Sequence, residues 1–337
     1  MSKDLQILIP MGGVGKRLRP LTWSRPKPLV PLAGKTVIDY VLEMFKSVPN
    51  FQSSELVFSI NETIESQIRG HIEKCYPDRK VTYAIDRAMR GQSDAFWQAR
   101  DSLKGPLLVA FSDTIIENDF SFLKDETADG VIWVKPVPDP RRFGVTLCDQ
   151  DGWITELIEK PSEMTHNLAV VGCYYFKDAE TLLSAIDEQI ERKLYLKGEF
   201  YLADAINILL KRGLKMRTEE VDIWLDAGTP EALLATNRYL LENGHAGSGD
   251  LTNMTNTVII PPVFIHPTAK VENSVIGPYV SMGEETEIEN CLIQDSIIGP
   301  HTHITYSRLE TSLLGYHVTL TGQTGRFNLG DNSRAIK

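Results

Sequence analysis

The 337-residue chain contains no run of about eighteen apolar residues, so no segment reads as a membrane-spanning helix. Its first residues also lack a basic segment followed by a long apolar region, the mark of a secretory leader. A cytoplasmic protein without a membrane partner is the expectation. Cysteine is sparse: Cys75, Cys148, Cys173 and Cys291 are scattered with no C-x-x-C spacing, which excludes a zinc site or a disulfide framework and reads as four buried thiols. Positive charge is in deficit, with 35 Lys and Arg against 45 Asp and Glu and a formal net charge of -10. Nucleic-acid backbones select basic surfaces, so non-specific nucleic-acid binding is excluded. No constellation of His or Cys marks a nucleophilic enzyme. What remains is an ordinary globular composition, 42% hydrophobic and 24% charged, at a length that suggests two domains.

Against this acidic background one stretch is basic. Residues 11–34 read MGGVGKRLRPLTWSRPKPLVPLAG, and Lys16, Arg17, Arg19, Arg25, Lys27 and Lys35 fall in or beside them. The stretch follows an apolar run at 6–10 with the length and branching of a buried strand, and precedes a helical pattern that begins near Val37. Gly12, Gly13 and Gly15 let the backbone approach a ligand with no Cβ in the way. Open amides beside ammonium and guanidinium groups suit a polyphosphate. Two familiar glycine motifs do not fit. In a Walker A loop, Gly15-Lys16 would be followed by Ser or Thr, but Arg17 stands there; in a dinucleotide fingerprint starting at Gly13, the third glycine is replaced by Leu18.

From residue 5 to about 221, short β-rich runs alternate with amphipathic ones, the sign of an α/β domain with a largely parallel sheet. Strands are expected at 55–60, 81–85, 107–111, 130–137 and 167–176, and helices at 63–75, 92–103, 178–192, 200–212 and 231–241. Residues 145–148 and 154–158 form a hairpin around the turn 149–152. The apolar run LLVAF ends at Ser112-Asp113, and a carboxylate just past a central strand lies where open α/β sheets bind ligands. On the residues alone, Asp113 is either a metal ligand or a cap for the next turn. Asp226 also follows a short apolar strand, and Thr229-Pro230 already supplies the cap and first position of the next helix, which leaves Asp226 for another role. Gly172, inside a strand, marks a close approach to a ligand. Residues 244–257 are rich in Gly, Ser, Asn and Thr and read as a linker. After them, six-residue steps such as Ile276, Met282, Ile288 and Ile298 to Ile304 suggest a parallel β-helix of around four coils, with an irregular antiparallel β domain as the other reading.

The ordered pieces G-G-x-G-x-R-L, P-L-T and P-K-P-L resemble the signature loop of the sugar-1-phosphate nucleotidylyltransferases. Further pieces in the family's order are S-D at 112–113, F-G-V at 143–145, E-K-P at 159–161, G-E-x-x-L-x-D-A-I at 198–206 and W-x-D-x-G-T at 224–229. The resemblance implies a Rossmann-like α/β nucleotidyltransferase domain with a mainly parallel central sheet at 1–243. A linker at 244–257 and a short left-handed parallel β-helix at 258–325 would come after it. It also implies transfer of a nucleotidyl group from a nucleoside triphosphate to a sugar 1-phosphate, with release of pyrophosphate. Asp113 and Asp226 would then hold Mg²⁺, Arg17 the α- and β-phosphates, Lys27 the attacking and α-phosphates, and Lys160 the sugar phosphate. Gly91 would lie beside the nucleobase, with Asp86 at the place of the family's base-reading Gln or Glu; Gly144 and Glu159 would face the sugar. Departures are Met11 for alanine, Thr36 for proline, and Asp86 itself. The longer thymidylyltransferases offer the nearest pattern, hence dTTP or UTP with glucose 1-phosphate; GTP with mannose 1-phosphate is the alternative. Two other readings stay open. One is a catalytically silent nucleotide-sugar-binding homologue, although such proteins typically lose the Arg or an Asp retained here. The other is an acetyl-transferring β-helix, for which His266, His301, His303 and His317 match no acceptor pattern. The β-helix is expected to cover an apolar edge and to make a homo-oligomer.

Overall fold

The computed structural model describes residues 5–248 and 254–337. The chain forms two compact units, Met1–Gly13 with Val41–Trp224, and Val14–Tyr40 with Leu225–Lys337. Packing thus groups the chain differently from the linear division at 243 and 257. The basic loop and the helix Pro230–Leu240 bury their contacts in the same unit as the β-helix.

In the first unit, four strands run parallel in the order Leu107–Ala110, Gln6–Pro10, Glu55–Ile60 and Val81–Ile85. Ile7, Leu8, Ile9, Val57, Phe58 and Val109 have no exposure, so these strands are covered on both faces, as their continuous apolar runs require. Beyond Leu107–Ala110 the direction reverses. Leu168–Phe176 is antiparallel to it and leads to Gly144–Cys148 and Ile154–Glu159, while Gly130–Pro136 pairs with Leu168–Phe176 and carries Met216–Glu220. The hairpin turn forms as its sequence indicates: Asp149 Oδ1 accepts from the amides of Asp151 and Trp153 at 3.0 and 2.9 Å. Helices Ala179–Glu191 and Leu202–Lys211 press Leu182, Ile186, Leu202 and Ile206 into the core around Leu8, Val57, Phe96 and Val109. Two helices are shorter than their apolar pattern. Glu65–Cys75 starts late because Asn61 Oδ1 captures the amides of Thr63 and Ile64, and Gln92–Gln98 passes into a 3₁₀ turn at Arg100–Ser102. The expectation of four buried thiols needs correction. Cys173 and Cys291 are buried, but Cys75 ends a surface helix and Cys148 ends a hairpin strand, and both are exposed. Among the described residues, no helix is long and apolar enough to cross a membrane.

The second unit is built on a left-handed parallel β-helix that has, among the described residues, three sheets, two of six strands and one of five. Val263 lies opposite Val280, Val280 opposite Ser296, Ile297 opposite Leu313 and Leu313 opposite Asn328, steps of 17, 16, 16 and 15 residues. Inward residues such as Val271, Ile276, Ile288, Ile293, Ile304 and Leu309 stack into one core. At the corners Asn273, Asn290 and Asp295 take left-handed backbone, which Asn and Asp adopt more readily than other side chains. The helix has more rungs than the expected four, because chain assigned to the linker and the tail joins it. Gly247–Ser248 and Met254–Thr255 pair with the next rung, and Asn328–Leu329 and Arg334–Ile336 with the preceding one. The rest of the predicted linker, residues 249–253, lies outside the described residues.

The C-terminal half of the basic stretch is a tight hairpin, Pro31–Leu32 with Lys35–Thr36. Its two turn residues, Ala33 and Gly34, have φ of 39° and 87°, the mirror-image turn that suits a two-residue loop. Gly34 has no Cβ because the Phe264 ring occupies that space. Ala33, which lacks glycine's freedom, is held from both sides: Asn237 Oδ1 accepts its N–H at 3.1 Å and the Tyr40 hydroxyl donates to its carbonyl at 2.8 Å. The same Asn237 oxygen accepts from Ser281 at 2.7 Å, so one fully buried amide ties the hairpin, the helix Pro230–Leu240 and the β-helix together. Replacing Asn237 with alanine would leave the Ala33 amide and the Ser281 hydroxyl buried and unpaired, at a cost of about 2–4 kcal/mol. Thermal unfolding followed by circular dichroism should show the transition lowered by roughly 5–10 °C.

Candidate functional site

The C-terminal ends of the four parallel strands bring together residues far apart in sequence. Gln6–Pro10 delivers Met11 and Gly12, Glu55–Ile60 delivers Asn61, Val81–Ile85 delivers Asp86, and Leu107–Ala110 is followed by Ser112 and Asp113. Asn61, which sequence reasoning missed, donates from Nδ2 to the Gly12 carbonyl at 2.9 Å and fixes the start of the glycine loop. Asp86 is buried against the same glycine: a Cβ on Gly12 would come within 3.0 Å of Asp86 Oδ2. Asp86 Oδ1 accepts from the Met89 amide at 2.8 Å. Burial pushes the Asp86 carboxyl above its ordinary range; the Met89 amide pulls the other way, and the neighbouring Asp94 carboxylate adds to the rise.

Gly91 comes next with φ of 114°, and a Cβ there would fall 2.7 Å from the Phe200 nitrogen. Its loop is laced to that segment by backbone bonds, Phe200 N–H to the Arg90 carbonyl at 2.8 Å and Ser93 N–H to the Phe200 carbonyl at 3.0 Å. The predicted base-side glycine is thereby tied to the 198–206 segment, whose Tyr201 hydroxyl meets Lys160.

On that side Gly144 and Glu159 are cross-strand partners, and a Cβ on Gly144 would sit 3.1 Å from Glu159 Oε2. Lys160, with φ of 48°, extends its ammonium to the Tyr201 hydroxyl at 2.5 Å, and that hydroxyl donates to Glu199 Oε2 at 2.8 Å. Burial pushes the Glu159 carboxyl up; Lys160 opposes this, and Asp204 and Glu199 reinforce it. For Lys160, burial alone would lower the ammonium, but Tyr201, Glu159 and Glu199 outweigh it and the result is a rise. Tyr201 and Glu199 join the predicted residues as parts of this cluster. Glu199 was legible in the G-E segment, whereas Tyr201 occupies an unspecified position of that pattern.

Gly172 is placed against the turn that bears Asp113. Its carbonyl accepts from the Phe111 amide at 3.0 Å, and a Cβ at its φ of 90° would meet the Phe111 ring at 2.8 Å and Thr114 Oγ1 at 2.9 Å. The close approach read from its strand position is to the chain itself.

In the second unit, Gly15 takes left-handed backbone with φ of 60°, and Thr22 Oγ1 donates to its carbonyl at 2.7 Å, closing the loop on itself. Arg17 is exposed in the short 3₁₀ turn Lys16–Leu18. Gly228 lies between Arg17 and Asp226: a Cβ there would be 3.0 Å from Arg17 Nη2 and 2.7 Å from Asp226 Oδ1. The Gly228 amide donates to the same Asp226 oxygen at 2.8 Å, and Thr236 Oγ1 donates to the Asp226 carbonyl at 2.8 Å. The predicted guanidinium and the predicted metal-binding carboxylate are therefore brought together by a glycine that allows close packing. Lys27 opens the 3₁₀ turn Lys27–Leu29, half-buried. Gly13 is exposed, and a Cβ there would meet nothing within 4 Å.

Among the described residues, no three His, Cys, Asp or Glu side chains gather to hold a metal by themselves. Asp113 in the first unit and Asp226 in the second each carry a carboxylate, the hard oxygen donor that Mg²⁺ prefers. A separate hollow of about 500 Å³, lined by Trp153, Asn207, Lys211 and Lys215 among others, contains none of these residues.

Residues 7–243 match the model of the family described as nucleotidyl transferase. The chain is 27% identical over 360 residues to glucose-1-phosphate thymidylyltransferase of Streptomyces griseus, covering 98% of this chain and 99% of that protein. It is 30% identical over 334 residues to the low-salt glycan biosynthesis nucleotidyltransferase Agl11 of Haloferax volcanii, covering 90% of each. The solved structure of UDP-glucose pyrophosphorylase complexed with UDP-glucose shares the fold, with a TM-score of 0.62 at 18% identity, over 72% of this chain and all of that one. The glycine loop leaving a central parallel strand, the carboxylates at 113 and 226 and this match over most of the length lead to one conclusion: the chain belongs to the nucleotidyl transferase family.

Proposed function

We propose that the protein is a sugar-1-phosphate nucleotidylyltransferase that takes dTTP or UTP and glucose 1-phosphate and releases pyrophosphate. The observation that carries this reading is the cationic loop of Gly12 to Lys27, which leaves the end of the central parallel strand and sets Arg17 beside Asp226. The similarity to a glucose-1-phosphate thymidylyltransferase along nearly the whole chain supports the substrate pair.

In this reaction a phosphate oxygen of the sugar 1-phosphate attacks the α-phosphorus of the triphosphate, in line with the departing pyrophosphate. The nucleophile is already ionised at neutral pH, so no general base is needed. The barrier is repulsion between two anions. Arg17 offers a planar fork of donors to the α- and β-phosphates and stabilises charge as it moves to the leaving group. Lys27 neutralises the attacking phosphate together with the α-phosphate. Lys160, held by Tyr201, takes the sugar phosphate, and Glu159 accepts from sugar hydroxyls. Asp86 accepts from the imide N–H of thymine or uracil beside Gly12 and Gly91. Mg²⁺ held by Asp113 and Asp226 would supply charge neutralisation and alignment of the triphosphate. Subunit association through the β-helix is supported by a stripe of outward apolar residues. Val258, Val275 and Leu292 stack in register on one sheet, and Val258 and Leu292 are exposed, as are Ile260 and Tyr306.

Each of these roles has a measurable consequence. Arg17→Ala or Lys27→Ala should lower pyrophosphate release by factors on the order of 100 or more, and unchanged rates would discard the roles given to them. Asp86→Asn replaces an acceptor with a donor; kcat/KM for dTTP and UTP should fall by about tenfold or more, measured across a matrix of nucleoside triphosphates. Glu159 accepts from sugar hydroxyls most strongly when ionised, and its carboxyl is raised, so activity is highest above that raised value and falls as pH drops through it. The acid limb of kcat/KM for glucose 1-phosphate should therefore lie above the ordinary carboxyl range, and Glu159→Gln should abolish that limb while costing about tenfold at neutral pH.

A further inference from the structure

Arg17 and Lys27 form the proposed triphosphate grip, a reading on which the present inference depends. Between these two cations lies a segment that makes its contacts with the last coils of the β-helix, all within the second compact unit. Pro20 lies against Gly330 so closely that a Cβ on Gly330 would be 2.7 Å from the Pro20 carbonyl oxygen. A few residues on, Asp331 Oδ2 accepts from Ser24 Oγ at 2.8 Å and from Arg25 Nη2 at 3.3 Å. The Asp331 side chain is only 7% exposed, so solvent screens this pair far less than a surface ion pair. The Arg25 guanidinium carbon sits 3.3 Å from the centroid of the Tyr316 ring, a cation–π contact. Arg25 Nε is buried without a hydrogen-bond partner, so the ring and the Asp331 carboxylate compensate that buried charge.

We propose that Tyr316 and Asp331 are positioning residues for nucleotidyl transfer: the C-terminal coils of the β-helix clamp the signature loop at Pro20, Ser24 and Arg25 and so set where Arg17 and Lys27 stand. The loop transmits the clamp in both directions. Toward Arg17, Trp23 N–H donates to the Pro20 carbonyl at 3.1 Å and Thr22 Oγ1 to the Gly15 carbonyl at 2.7 Å, so residues 15–23 form one closed turn. Toward Lys27, Arg25 is followed by Pro26, whose φ is fixed near -59°, and the 3₁₀ turn of Lys27 begins at once. A shift of about 1 Å in either cation is enough to lower transfer substantially, because both act by being in place before charge moves.

The two oxygens of Asp331 allow the clamp to be separated from the fold of the coil. Oδ1 serves the β-helix itself by accepting from the Tyr316 amide at 2.9 Å, and only Oδ2 faces the loop. Asp331→Asn can keep its oxygen on the Tyr316 amide and present NH₂ to the loop, which Ser24 Oγ can accept but Arg25, a donor only, cannot, so the ion pair is lost while the coil remains. This variant should lower kcat by about ten- to a hundredfold with KM for the triphosphate within about threefold and the unfolding temperature nearly unchanged. Hydrogen exchange of amides 14–30, measured without substrate, should accelerate by about tenfold. Tyr316→Leu should act in the same direction. Arg25→Ala combined with Asp331→Asn should be no slower than the worse single variant, as for residues that act as one unit. Arg334→Ala, an exposed change on the same coil, should leave all four readouts at wild-type values. Wild-type kcat in Asp331→Asn, unchanged exchange at 14–30, or additive losses in the double variant would each overturn the clamp. A wild-type enzyme that released no pyrophosphate would instead defeat the functional reading, and exchange at 14–30 would still decide whether the coil holds the loop.

Discussion

A glycine-rich, positively charged loop has no core of its own, and this constraint shapes the second half of the molecule. Gly13, Lys16 and Arg17 are exposed, so residues 12–17 bury too little to hold their conformation by themselves against the repulsion of their own charges. Stability comes from the next residues of the chain. Pro20, Ser24 and Arg25 rest on Gly330, Asp331 and Tyr316, and the hairpin turn Ala33-Gly34 rests on Asn237 and Phe264. The loop is therefore ordered by protein contacts before any ligand arrives, and groups held in advance at the place where charge develops are the ones that contribute to rate.

The first unit meets a related demand with side chains at strand ends. Asn61 spends its amide on Gly12 and its oxygen on the start of the next helix, so a single residue fixes both the floor of the glycine loop and the entry to Glu65–Cys75. The Gly91 loop is bonded to Phe200, and the next residues along that segment bring the Tyr201 hydroxyl to Lys160. The Gly91 loop and Lys160 are thus parts of one bonded framework. Asp86 and Glu159 are both carboxylates raised by burial.

Much of this was legible in the chain itself. The β-branched runs at 6–10, 55–60 and 107–110, the Asp149 turn and the Thr229-Pro230 helix start are local signals, because backbone bonding and side-chain alternation act over a few residues. The ordered motifs carried the family. Thr36, where the family has proline, supplies donors that proline lacks: its amide and hydroxyl both donate to Asp39 Oδ2 in the first turn of the next helix, at 2.8 and 2.6 Å.

Other features had no local signal. Asn61, Tyr201, Tyr316 and Asp331 stand in no pattern of period two or 3.6, and their contacts to Gly12, Lys160, Arg25 and Ser24 join residues dozens to hundreds of positions apart. Gly172 reads the same in sequence whether a ligand or Phe111 fills the space beside it. The strands at 247–248, 254–255, 328–329 and 334–336 look like linker and tail because two- and three-residue strands bury too little alone and form only when stacked on a neighbour. The sequence by itself thus determined the α/β alternation, the β-helical repeat and the residue types suited to polyphosphate. Tertiary structure decided which residues hold the loop and that it packs with the β-helix, because long-range packing is set by shape and pairing across the fold and not by the chemistry of adjacent residues.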